Sequence, residues 1–172
     1  MDYFSEYIIK QKKSKKVFLA AAGMIVLTLA VWVLTFPFVM HPMLSSIVGL
    51  IDAAAVYATY LVISNFNIEY EYCVTNSDMD VDKIINRKKR KRVTSVKFTA
   101  MEIMAPCGDP RFANEENGNF AKIYMAAKSE KDPEAYFIIY EENGQRTKLV
   151  FNPIQKMIDA AKFFAPRKTY ER

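Results

Sequence analysis

Two hydropathy patterns share this chain. From Val17 to Ile63 nearly every position is apolar, and the only acidic or basic side chains are His41 and Asp52. From Asn65 to Arg172 charged and apolar positions alternate every few residues. Val17–Phe38 is an uncharged run of 22 residues, and Met43–Ile63 is a run of 21 with one charge. A helix rises ~1.5 Å per residue, so about 20 apolar residues cross the ~30 Å hydrocarbon core of a bilayer. Between the runs, Val39-Met40-His41-Pro42 has room only for a reversal, and Pro37 and Pro42 cannot donate a helical hydrogen bond there. The pattern predicts a two-helix transmembrane hairpin over residues 17–64. Its first apolar run is too long for a cleaved leader, and a second follows directly.

Ahead of the first span, Tyr3, Phe4, Tyr7 and Ile8 recur at i, i+1, i+4 and i+5, with lysines following. That spacing is one face of a helix. Residues 1–16 are therefore expected to be an amphipathic segment on the membrane surface, or a short frayed lead-in. Beyond Asn65 the period changes to two. Ile68, Tyr70, Tyr72 and Val74 alternate with Glu69, Glu71 and Cys73, as in a half-buried strand. Thr75-Asn76-Ser77-Asp78 is turn chemistry, and further strands are predicted over 79–85, 93–98, 102–104, 120–127, 135–142 and 145–151. The last two are joined by Asn143-Gly144, suited to a tight hairpin because both positions need positive φ. Residues 105–119, rich in Pro, Gly and Asn, are expected to form a long loop or a poorly ordered insertion. Asn152 offers an N-cap and Pro153 a first helical residue. Ile154, Met157, Ile158 and Ala161, with Phe164 or Ala165, then make one apolar stripe that ends at Pro166, predicting an amphipathic helix.

Charge adds an orientation. Lys10, Lys12, Lys13, Lys15 and Lys16 precede the first span, the turn at His41 has no Lys or Arg, and Lys83 and Arg87-Lys88-Lys89-Arg90-Lys91-Arg92 follow the second. The positive-inside rule places both termini in the cytoplasm of an inner-membrane protein. Cys73 and Cys107 are then read as free thiols in a reducing compartment.

About seven short antiparallel strands followed by one helix must hide an apolar face, which a bent sheet or partial barrel plugged by that helix achieves. The expected fold class is thus an α+β membrane protein with three parts: an N-terminal segment (1–16), a transmembrane hairpin (17–64) and a cytoplasmic β domain (65–172). Strands capped by one helix and attached to a two-span hairpin resemble the bacterial pleckstrin-homology-like membrane proteins. The stretches Ile68-Glu69-Tyr70-Glu71-Tyr72-Cys73-Val74-Thr75-Asn76, Asp80-Val81-Asp82-Lys83-Ile84-Ile85, the basic run and Glu102-Ile103-Met104-Ala105-Pro106 are similar to a family of small bacterial membrane proteins known as a domain of unknown function. The resemblance implies the fold and brings no activity with it.

The candidate chemistry is sparse. Arg87, Lys88, Lys89, Arg90, Lys91 and Arg92 form a basic tip expected to touch anionic lipid, where each base is worth up to about 1 kcal/mol. The alternatives are a topology signal alone or ion pairing with Asp78, Asp80 and Asp82. A nucleic-acid partner is not expected of a membrane-tethered domain with few aromatics among its bases. Asp52, inside its span, is expected to be protonated and bonded to Thr28 or a serine, the alternative being a proton or ion relay in a small transport subunit. Ser45, Gly49 and Ala53 form a small-residue stripe, expected to pack within the hairpin against Ala20, Gly23 and Ala30, or else to form a homodimer seam. Asp78-x-Asp80-x-Asp82 is not a calcium loop, because Lys83 and Lys89 stand where Gly and Glu are needed. The sequence offers no catalytic set, cofactor motif or metal-ligand spacing, so a non-catalytic binding or scaffold module is expected.

Overall fold

The computed structural model describes residues 3–129 and 131–172. The chain forms two compact units: Lys13–Asn67, and Met1–Lys12 together with Ile68–Arg172. The first is helical. Helix α1 (Lys15–Thr35) begins at Ser14, whose hydroxyl accepts the Val17 amide at 3.4 Å, and runs into a single 3-10 turn at Phe36–Phe38. Helix α2 is Ser45–Asn65. Both are long and apolar enough to cross a membrane. The half-buried residues of α1 are Val17, Ala21, Ala22, Met24, Thr28, Val31 and Thr35; on α2, Val48, Asp52, Ala55, Thr59 and Ile63 are half-buried or buried. Steps of mostly three and four residues line up one seam between antiparallel helices.

The second unit holds two four-stranded sheets. The first is antiparallel and runs β1 (Phe4–Lys10), β2 (Ile68–Thr75), β3 (Asp78–Ile85), β4 (Lys89–Lys97). The second contains β5 (Ile103–Pro106), β6 (Lys122–Met125), β7 (Tyr136–Glu142) and β8 (Gln145–Phe151) in the order β5-β7-β8-β6. Helix α3 (Ala113–Glu116) lies between β5 and β6, and α4 (Gln155–Phe164) follows β8. One cluster joins Tyr72, Val74, Met79 and Val96 of the first sheet to Met104, Ile138, Leu149 and Phe151 of the second and Met157 and Ala161 of α4. The Tyr72 hydroxyl ties the sheets by donating to the Ala126 carbonyl at 2.5 Å.

Four expectations are corrected. The segment over 1–16 is no helix: Phe4–Lys10 is strand β1, paired residue by residue with β2 from Phe4↔Thr75 to Lys10↔Glu69 (residues 1 and 2 lie outside the described residues). Ile9 is buried in the core while Phe4 and Ile8 are exposed, so the period that matters there is two. The strands are not all antiparallel, since β6 pairs parallel with β8. Residues 105–119 are a long connection but not a poorly ordered insertion: they carry a 3-10 turn at Pro110–Phe112 and α3, and Phe112, with Phe120 just beyond, covers the second face of the second sheet against Ala105, Phe137, Ile139 and Val150. Asn152 does not cap α4, because its side-chain carbonyl accepts the Lys128 amide at 2.8 Å and the helix starts after Ile154. The Asn143-Gly144 hairpin and the apolar face of α4 are as expected.

Candidate functional site

The basic run occupies the tight end of the β3–β4 hairpin. Asn86, Arg87 and Lys88 form the turn, with Asn86 and Arg87 both at positive φ (51° and 55°). The other four bases belong to β4, in the register Ile85↔Lys89, Ile84↔Arg90, Lys83↔Lys91 and Asp82↔Arg92. Between Val81 and Asp82 the register shifts, so that Val81 faces Thr94 and Val93 is left over as a bulge. Thr94 and Val96 point into the core. Without the bulge, Arg90 and Arg92 would share their face; with it, these arginines turn to the outer face, where β2 and β3 present carboxylates.

There the arginines are paired. Arg87 meets Glu69 at 3.4 Å, Arg90 meets Glu71 at 2.5 Å and Asp82 at 3.9 Å, and Arg92 meets Asp80 at 2.7 Å and Asp82 at 2.5 Å. Two of these acids, Asp80 and Asp82, are among those the sequence offers as partners. Glu69 and Glu71 come from β2 and were missed, because strand pairing and not proximity in sequence delivers them. Glu71 is only 4% exposed. Burial raises its carboxyl above the usual range, a hydrogen bond with Glu6 adds to the rise, and Arg90 opposes it. Lys88, Lys89 and Lys91 are exposed, and they and Lys83 make no ion pair among the described residues.

The candidates on the two apolar helices separate. Asp52 accepts the Thr35 hydroxyl at 3.0 Å, not that of Thr28. Thr28 instead shares a 2.6 Å hydrogen bond with Thr59. The two contacts lie seven residues apart on each helix, two turns along the same seam. Because the 3-10 turn at Phe36–Phe38 continues the chain beyond α1 and α2 begins only at Ser45, the residue level with Asp52 is Thr35 and not Thr28. Ser45, Gly49 and Ala53 are exposed, and no atom beyond the local helix backbone and chain neighbours lies within 4 Å of where a Cβ on Gly49 or Gly23 would stand. The expected packing of this stripe within the hairpin is therefore not what the structure has. Among the described residues no group of three His, Cys, Asp or Glu side chains is placed to hold a metal ion.

The model of a bacterial PH-like domain family, DUF6106, matches residues 1–171. The chain belongs to this family. As a DUF6106 member it is a bacterial PH-like domain of unknown function, and the match includes the apolar helices as well as the strands. No curated protein and no solved structure matches the chain.

Proposed function

We propose that this DUF6106 protein is a non-catalytic, membrane-held binding or scaffold module of the bacterial inner membrane, with both termini cytoplasmic and its β3–β4 tip against anionic lipid. The exposed apolar surface of the helices supports the membrane reading: Phe18, Leu34 and Leu50 are 77%, 73% and 73% exposed. Large contiguous apolar surface of this kind is costly in water and expected in lipid. The Asp52–Thr35 bond supports a structural role for that carboxylate, which then needs no relay.

The observation that carries the lipid reading is a strand register. Ile68 pairs with Ile85, and Lys10 pairs with Glu69, so the chain leaves and re-enters the β unit at the end of the sheet that bears the basic turn. Only two residues of sequence separate Asn65 of α2 from Ile68. If the helices span a bilayer, that sheet end starts at its surface, within reach of the field of an anionic leaflet.

The test uses the full-length protein in mixed bilayers of phosphatidylglycerol and phosphatidylcholine. The ratio of the two lipids retained after mild extraction is read by native mass spectrometry. Replacing all six bases from Arg87 to Arg92 by Gln is expected to abolish enrichment of the anionic lipid. Undiminished enrichment would reject the reading.

A further inference from the structure

We infer that the two faces of the basic hairpin have different tasks: Arg90 and Arg92 fasten the sheet through carboxylates, while Lys83, Lys89 and Lys91 on the opposite face bind the phosphate layer of an anionic membrane. This rests on the membrane reading above and assigns it to particular residues.

Strand alternation separates the two sets. Asp80, Asp82, Arg90 and Arg92 share one face, and Lys83, Ile85, Lys89 and Lys91 share the other. On the first face every arginine ends on a carboxylate. On the second, Lys83 stands directly opposite Lys91 with no acid between them in the ladder. Like charges directly opposite destabilise a sheet, and an anion laid across the pair removes the repulsion. The remaining neighbours on this face are apolar: Lys89 is opposite Ile85, which is opposite Ile68, both half-buried. Lysines whose ladder neighbours are isoleucines, and which make no ion pair among the described residues, suit the headgroup boundary, where apolar atoms and phosphates lie within one side-chain length of each other. A lysine ammonium also donates to phosphate from many directions, as a fluid leaflet requires, whereas these arginines are already paired with carboxylates.

The lipid-retention assay on the full-length protein separates the two sets. The variant Lys83→Gln, Lys89→Gln, Lys91→Gln is expected to lose anionic-lipid enrichment by about fivefold per lysine, and less in high salt. Replacing the same three lysines by Arg is expected to retain it. The charge-balanced variant Arg92→Gln, Asp82→Asn is expected to retain the enrichment and to unfold at lower temperature. Amine labelling of the wild type provides a check that needs no variant. Lys89 and Lys91 are expected to be protected in anionic bilayers and not in zwitterionic ones, with Lys156 and Lys162 equally labelled in both. Undiminished enrichment in the triple-Gln variant, with enrichment lost on removing all six bases, overturns the division of faces and leaves the membrane reading standing. Retention in both variants overturns both. Equal labelling of Lys89 and Lys91 in the two bilayers also overturns the inference.

Discussion

Glu71 shows how a single position can carry opposing demands. It sits on the outer face of β2, yet it is closed off by Glu6 on one side and Arg90 on the other. Its folded-state pKa is raised, so the folded protein holds this proton more tightly than the unfolded chain. That stabilisation is complete below the unfolded value and is lost as pH rises through the folded one. Gln at this position stays neutral throughout. The melting temperature of Glu71→Gln minus that of wild type should therefore increase from about pH 4 to about pH 7; a flat or falling difference would show that Arg90 outweighs the burial. Cys107 illustrates burial more simply. Desolvation, followed by the carboxylate of Glu116, pushes its thiol up to about 12. The native thiol should be alkylated about a thousandfold more slowly than a free cysteine at mildly alkaline pH, with full reaction in urea, as read by peptide mass spectrometry.

At the level of elements, the turns decide what the strands present. Asn143 and Gly144 take φ values of 52° and 76°, and no atom approaches Gly144 closer than 4.0 Å from where a Cβ would be. Gly144→Ala should thus cost about 1 kcal/mol through backbone strain alone. Arg87 adopts the same left-handed region with a φ of 55°, and in its 3.4 Å pair with Glu69 its own side chain is 75% exposed. Exposed pairs contribute little, so Arg87→Gly should stabilise the hairpin by about 1 kcal/mol. Denaturant midpoints check both, and the two substitutions must differ in sign. The Asn-Gly turn could be read from two letters of sequence. The Asn-Arg turn could not, because Arg is an uncommon choice there and its strain is outweighed by the ladder on either side. The bulge at Val93 was equally hidden, since an alternating pattern extrapolated from Val96 and Thr94 assigns the arginines and lysines to the wrong faces.

For the molecule as a whole, the helical unit is an insertion: the β unit begins before it, with β1, and resumes after it, with β2. A fragment of residues 65–172 lacks β1, whose Ile9 is buried and whose Tyr7 ring lies 6.4 Å from that of Tyr72. It should be less stable than a chain in which residues 3–12 are joined to 68–172 by a short flexible linker. Burial of Ile9 alone is worth about 2 kcal/mol, and thermal melting of the two proteins checks the difference. Equal melting temperatures would make β1 an ornament of the sheet.

What could be read from the letters is whatever a couple of dozen or fewer consecutive residues settle among themselves. Two apolar runs, a hairpin marked by Asn-Gly and an amphipathic C-terminal helix are all of this kind, since their periodicity and turn preferences act over short distances. Strand β1, the parallel placement of β6, the partners of Arg90 and the Thr35–Asp52 bond depend on chain segments brought from far away; Tyr3, for example, donates its amide to Asn76, 73 positions on. Short apolar segments such as Phe4–Lys10 have nearly balanced helix and strand tendencies. The choice falls to whichever neighbour supplies the hydrogen bonds and covers the apolar side chains, and only the folded chain provides that neighbour.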